Sequence, residues 1–199
     1  MKKLQNPRKM LWGAGLAALL LILAGMLVLF GSKSSSPTFR VETPQKLSAA
    51  QTDTFTLDVT VSDLADSIYP AMSASIRFDP AYLEFVGIRE GNLFVTDPEL
   101  GKALPQWSCN PEQCNKTGLI NVMYLDLTGG KAAFSRDLLT EGDHVVFSLS
   151  FRLRGSARSG DVYLLTVEDA VFAASEESQS LAMTNHTLNV KNGKIVVGD

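Results

Sequence analysis

Few residues of this chain can do chemistry, and their spacing narrows that chemistry further. Cys109 and Cys114 are its only cysteines, and His144 and His186 its only histidines. Oxidation would close Cys109-Asn110-Pro111-Glu112-Gln113-Cys114 into a small ring. Outside the cytoplasm a structural disulfide is the expected state of such a pair. Its entropic effect is modest for so short a loop, so its role would be to stiffen the stretch beside Trp107. A metal site would need two more soft ligands, and neither histidine is near in sequence, so no metal and no cofactor are expected. His144 could in principle serve Ser148 as a base, but four residues along a strand separate same-face side chains too widely to bond. No G-x-S-x-G nucleophile turn is present. Asp58, Asp79, Glu84, Asp126, Glu168 and Asp169 are plentiful carboxylates whose spacing selects no acid–base pair. The chain reads as non-catalytic.

The elements that would carry these residues are strands. Met72, Ala74, Ile76 and Phe78 alternate with Ser73, Ser75, Arg77 and Asp79, the period of a half-buried strand. Asp79-Pro80 breaks that ladder, because proline removes a donor and Asp bonds its own turn. Leu83, Phe85 and Ile88 resume an apolar face. Upstream, Phe39 and Val41 begin an extended segment, and Phe55, Leu57, Val59 and Val61 alternate with polar partners. Residues 92–118 read as one long irregular stretch with three prolines and both cysteines. In 119–127 both faces are apolar, so the outward set is either Asn121, Met123 and Leu125 or Val122 and Tyr124. Val145, Phe147, Leu149, Phe151 and Leu153 give the strongest alternation, opposite Ser148, Ser150 and Arg152. Residues 162–167 and 170–173 supply one or two more strands. Residues 188–190 and 195–197 are expected to close the domain as a hairpin about Asn192-Gly193. About nine short strands without a soluble helix predict an all-β fold, an antiparallel jelly-roll β-sandwich.

Length and charge bound the rest. The 199 residues, 45% of them hydrophobic, suffice for one real core plus an accessory segment. A net charge of −3 offers nucleic acid no basic field, so no nucleic-acid partner is expected. Residues 10–30 carry no charge and follow Lys2, Lys3, Arg8 and Lys9. As a helix of about 1.5 Å per residue the run spans roughly 30 Å, the thickness of a bilayer core. The basic cluster places 1–9 in the cytoplasm and the remainder outside. A cleaved signal peptide would have a shorter apolar region and a small-residue cleavage site, so a retained transmembrane anchor at the cell membrane is expected. Residues 31–38 form a Gly/Ser linker to a domain at 39–199.

Within that domain an ordered series of segments resembles the cohesin modules of cellulosomal scaffolds. Ser75-Ile76-Arg77-Phe78-Asp79-Pro80 and Tyr82-Leu83-Glu84-Phe85-Val86 look like the cohesin F/Y-D-P turn and its L-E-x-V strand. Glu90-Gly91-Asn92-Leu93 is similar to the following G-x-L turn. Thr52-Asp53-Thr54-Phe55-Thr56-Leu57-Asp58-Val59 stands where a G-D-T-V-x-V strand would, without the glycine. Val145 to Leu153, Ser159-Gly160-Asp161-Val162-Tyr163 and Asn192-Gly193-Lys194-Ile195-Val196-Val197 continue the series to its closing strand.

The resemblance implies a sandwich that docks a dockerin-type protein on a flat sheet face, the dockerin bringing its own calcium. Ser73, Ser75 and Arg77 on one strand and Ser148, Ser150 and Arg152 on another, with Met123 and Leu125 beside them, are the expected partner-binding residues. Their small size suits protein docking more than a small-molecule pocket. Two alternatives use the same architecture. A polysaccharide-binding module would need a row of exposed aromatics, whereas Tyr69, Tyr82 and Trp107 are scattered. A structural subunit of an envelope secretion or pilus assembly would use anchor and sandwich only to join its neighbours.

Overall fold

The computed structural model describes residues 36–44, 46–50, 52–92, 109–139, 144–155 and 157–198. The expected anchor at 10–30, the basic segment before it, most of the linker, and Trp107 lie outside them. Among the described residues no helix is long and apolar enough to cross a membrane. Residues Ser36–Asp199 form one compact unit.

Its strands are β1 (Thr38–Val41), β2 (Leu47–Ser48), β3 (Phe55–Ser62), β4 (Ile68–Tyr69), β5 (Ala71–Arg77) and β6 (Leu83–Glu90). A helix, α1 (Pro111–Thr117), precedes β7 (Leu119–Leu125) and β8 (Phe134–Ser135). Then come β9 (Val145–Leu153), β10 (Val162–Ala173), β11 (Leu181–Ala182), β12 (Asn189–Lys191) and β13 (Gly193–Gly198). One sheet runs β12-β1-β3-β9-β6 and the other β2-β13-β10-β5-β7, with β11 beside β10; β4 and β8 form a small ribbon of their own. The fold is thus mostly β and sandwich-like. Pairing is antiparallel except for β1 with β12 and β2 with β13, which are parallel.

Alternation builds both sheets. In β3, Phe55, Leu57, Val59 and Val61 point inward, and in β5, Met72, Ala74 and Ile76 do. Aromatic rings fill the space between. Phe172 on β10 meets Phe39, Tyr69 and Phe134 at centroid distances of 6.1, 6.3 and 5.4 Å, all edge-on, the arrangement ring quadrupoles favour. Phe151 joins Phe78 and Phe85 in the same way at 5.4 and 5.5 Å.

Two expectations about elements are corrected. The stretch 92–118 was expected to be irregular, yet it ends in α1. Asn110 caps that helix by accepting the Glu112 amide, Pro111 takes the first turn, and Gly118 ends it at φ 67°. Gly118 is also forced by space, since a Cβ there would lie 2.7 Å from the Phe78 carbonyl oxygen.

The hairpin about Asn192-Gly193 does not form. β12 pairs with β1 in one sheet and β13 with β10 in the other, so the chain crosses between layers at this point. Tertiary partners outweigh the local turn preference. The Asn192 side chain accepts the Val167 amide at 2.9 Å. A Cβ on Gly193 would fall 2.6 Å from Val41 Cγ1, so only glycine lets the chain pass so close.

Candidate functional site

β5 is the middle of the site, because it pairs with β7 on one side and β10 on the other. Its inward residues are fixed in the core, so Ala71, Ser73, Ser75 and Arg77 must face out. Register then sets their neighbours. Ala71 lies opposite Leu125, Ser73 opposite Met123 and Ser75 opposite Asn121. The open question about β7 is answered: Ile120, Val122 and Tyr124 are buried, while Met123 and Leu125 stand 51% and 48% exposed.

On the other flank, Ala71 faces Ala173 and Ser73 faces Val171. β10 is one strand, not two. A bulge between Val167 and Asp169 inserts Glu168 and shifts the alternation, so the inward set passes from Tyr163, Leu165 and Val167 to Ala170 and Phe172. Strand parity alone could not find the outward residues of β10 beyond that point. The signal available was the adjacent acidic pair Glu168-Asp169 interrupting an apolar run.

The face has two chemically different ends. Toward Arg77 it gathers polar groups, with Leu119 of β7 opposite Arg77 and exposed Leu164 of β10 just beyond. The Arg77 guanidinium grips Glu168 through Nε–Oε1 and through an Nη2–Oε2 bond of 2.9 Å. The Glu168 hydrogen bond holds the guanidinium above its ordinary pKa, and the same bond holds the Glu168 carboxyl below the usual range. Ser75 Oγ donates to Asn121 Oδ1 at 2.8 Å. Toward Ala71 the face is apolar, with a hollow of about 170 Å³ between β7 and β10.

Ser148, Ser150 and Arg152 are not on this face. They lie on β9, in the opposite sheet, so the expected grouping of these three with Ser73, Ser75 and Arg77 is corrected. Alternation shows which residues leave the core but not by which layer. Their chemistry is also already used. Ser148 Oγ donates to Asp58 at 2.6 Å, Arg152 pairs with Glu84 at 3.1 Å, and Ser150 is only 5% exposed.

Cys109 and Cys114 stand as free thiols. Cys109 Sγ donates to the Asn121 carbonyl of β7 at 2.9 Å, and Cys114 is buried on α1. Burial pushes the Cys109 thiol up to about 12, with Cys114 adding to the shift, and burial also raises Cys114. Asn115 fastens α1 to β6 by accepting the Phe85 amide and donating to the Phe85 carbonyl, each at 2.8 Å.

A larger cleft of about 690 Å³ lies beyond the Arg77 end, between the Asp79-Pro80 turn and the start of β10. Several of its polar groups already have partners. Tyr163 donates to Asp161 at 2.6 Å, Asp161 accepts the Arg158 amide at 2.8 Å, and Asp79 accepts the Ala81 amide at 2.9 Å. Tyr82, itself exposed, stacks on the buried Tyr163 at 5.0 Å, whereas Tyr69 is fully buried. Among the described residues no three His, Cys, Asp or Glu side chains converge as metal ligands would.

Comparison with known proteins agrees with this geometry. A family model described as "Cohesin domain" matches residues 42–196. No curated protein matches in sequence. Among solved structures, the third cohesin of ScaC from Acetivibrio cellulolyticus, in complex with the ScaB dockerin, superposes with a TM-score of 0.59 at 16% identity; the match covers 82% of this chain and 99% of that one. A cohesin of OlpA from Clostridium thermocellum, complexed with Doc918, gives 0.55 at 16% identity over 82% and 99%. A type III cohesin of the cell-surface anchoring scaffoldin ScaE from Ruminococcus flavefaciens gives 0.53 at 17% identity over 85% and 91%. At these identities the likeness establishes the fold.

Proposed function

The chain belongs to the cohesin family, and from that premise we propose that it is a non-catalytic docking module for a dockerin-type protein. The partner sits on the outward face of β10, β5 and β7. One observation carries this reading. Small side chains, Ala71, Ser73, Ser75 and Ala173, floor a sheet face on which Met123 and Leu125 are left half exposed. Clustered apolar groups on an otherwise polar surface mark interaction sites. A face of such low relief fits a protein surface better than a small molecule. The solved relatives in complexes with dockerins support the class of partner.

The uncharged run at 10–30 behind a basic N-terminus supports a module held outside the cell membrane on a single span. Docking would then hold a partner at the membrane.

Calorimetric titration of residues 36–199 with the dockerin modules encoded in the same genome tests the docking. The expected result is one-to-one binding in calcium that vanishes on chelation, since the metal belongs to the dockerin. A folded fragment that binds none of them refutes the reading.

A further inference from the structure

The chain contains two Asn-x-Thr triplets, Asn115-Lys116-Thr117 and Asn185-His186-Thr187, and the fold treats their asparagines oppositely. Such a triplet is the acceptor motif for N-linked glycans outside the cytoplasm. Asn115 is half-buried on α1. Its Oδ1 accepts the Phe85 amide and its Nδ2 donates to the carbonyls of Phe85 and Pro111, so the side chain is fully engaged. Asn185 lies in the loop between β11 and β12, where residues 184–187 are all exposed. Its Oδ1 accepts the Thr187 hydroxyl at 2.6 Å and the Thr187 amide at 3.2 Å. Among the described residues its Nδ2 has no partner. His186, at φ 60°, turns the chain sharply within the triplet.

We propose that Asn185 is the acceptor of an N-linked glycan, delivered from a polyprenyl-diphosphate-linked oligosaccharide on the outer side of the cell membrane. The inference rests on the placement outside the membrane proposed above. In the transfer Nδ2 forms a bond to the anomeric carbon of the sugar and gives up one proton. The bond from that carbon to the diphosphate oxygen breaks, and polyprenyl diphosphate leaves with the electron pair. Nothing is oxidised or reduced. The nitrogen must reach a transferase free of other bonds, which Asn185 Nδ2 is and Asn115 Nδ2 is not. At Asn115 the same step would break the bonds that fasten α1 to β6.

The position of the loop is a second, independent argument. A lipid-linked donor is confined to the bilayer surface, so its acceptor must come near that surface. β12 runs parallel to β1 with Asn189 beside Thr38, and the Asn189 amide donates to the Pro37 carbonyl at 2.8 Å. Asn185 stands four residues before Asn189, at most about 14 Å of extended chain. The triplet is therefore close to the point where the linker enters the module. Pro37 is in turn seven positions from residue 30, at most about 25 Å of extended chain. The loop also crosses from the sheet of β11 to that of β12, so it leaves the sandwich at the junction of its layers and not from the face of β10, β5 and β7.

The test uses the full chain recovered from the membranes of the organism that makes it, digested and mapped by mass spectrometry. The expected result is an oligosaccharide on the Asn185 peptide and a bare Asn115 peptide. Asn185→Gln and Thr187→Ala should each lose the added mass, and Thr187→Ser should keep it, because the motif needs the hydroxyl. Thermal melts confirm that each variant is folded. Synthetic peptides 112–120 and 182–190, free of the fold, should both be accepted in a membrane extract. Refusal of the first alone would overturn burial as the reason for the choice.

A membrane-impermeant amine label on spheroplasts reports separately on which side the module lies. A labelled module with a bare Asn185 would overturn the glycan and leave the placement standing. An unlabelled module with a bare Asn185 would remove both. A glycan on Asn115 with Asn185 bare would overturn the assignment of the acceptor.

Discussion

Replacing Asn115 with alanine should loosen the module at the edge of one sheet. β6 ends the β12-β1-β3-β9-β6 order, so the side of Phe85 turned away from β9 has no strand beside it among the described residues. Asn115 supplies that rung from α1. Its Oδ1 accepts the Phe85 amide, and its Nδ2 donates to the carbonyls of Phe85 and Pro111, all at 2.8 Å. The side-chain amide thus stands in for a neighbouring backbone. Three bonds at a net worth of about 1 kcal/mol each, reduced because the site is half-buried and water can replace part of them, give about 2 kcal/mol. For a domain of this size that is a Tm lowered by about 4–8 °C. With an m-value of about 2 kcal/mol/M it is a urea midpoint lowered by about 1 M. Gln113→Ala, on the exposed side of the same helix, should cost under about 0.5 kcal/mol. Urea unfolding followed by tryptophan-independent far-UV signal measures both. A loss below about 0.5 kcal/mol for Asn115→Ala at unchanged m would refute the idea that this amide closes the edge.

Three further outcomes are expected. The Asp126 carboxyl would be pushed up by burial, but the Thr128 hydroxyl and the Thr128 and Gly130 amides outweigh that and hold it below its ordinary value. A depressed folded pKa stabilises above the unfolded value of about 3.9 and ceases to as pH falls through the folded one, so Asp126→Asn should trail the wild type by about 2–3 kcal/mol at neutral pH and converge with it in acid; a gap that stays constant between pH 7 and pH 3 would refute this. With its thiol pushed up to about 12, Cys109 should alkylate at pH 8 at least about a hundredfold more slowly than an unperturbed thiol. Protein recovered from outside the cytoplasm should nonetheless carry the Cys109–Cys114 disulfide, seen as the loss of two hydrogens in intact mass, and recovery of both free thiols would refute that closure.

The strands that could be read from sequence are those whose alternation is unbroken. β3 and β5 each keep one parity from end to end, so their inward residues follow from the chain alone. β10 and β6 do not. Glu168 and Val86 each fall at a bulge; beyond it the buried set of β10 moves from odd to even positions, and in β6 no residue after Phe85 is buried. The face of a residue was therefore legible, but not its layer, and this is why Ser148, Ser150 and Arg152 parted from Ser73, Ser75 and Arg77. Assignment to a sheet depends on non-local pairing, which no short window contains. Helix α1 was legible in its punctuation, Asn110, Pro111 and Gly118, but its seven residues carry no apolar period to draw attention to it. Asn192-Gly193 shows the converse, a strong local turn signal overruled because β1 and β10 each take one side of it. Met123 and Leu125 belonged to one of two candidate outward sets, and it is burial and the register with β5 that show them walling a hollow.

The parallel pairing of β1 with β12 bears on how the module carries load. β1 leaves Ser36 directly and lies between β3 and β12, in register with both. The Asn189 amide also reaches back to the Pro37 carbonyl at 2.8 Å. Tension applied at Ser36 along the strand meets both rows of hydrogen bonds broadside and must shear them together, whereas an end strand peeled sideways would unzip one rung at a time. A module tethered through its N-terminus and pulled through a partner on the opposite sheet is thus clamped where the force enters.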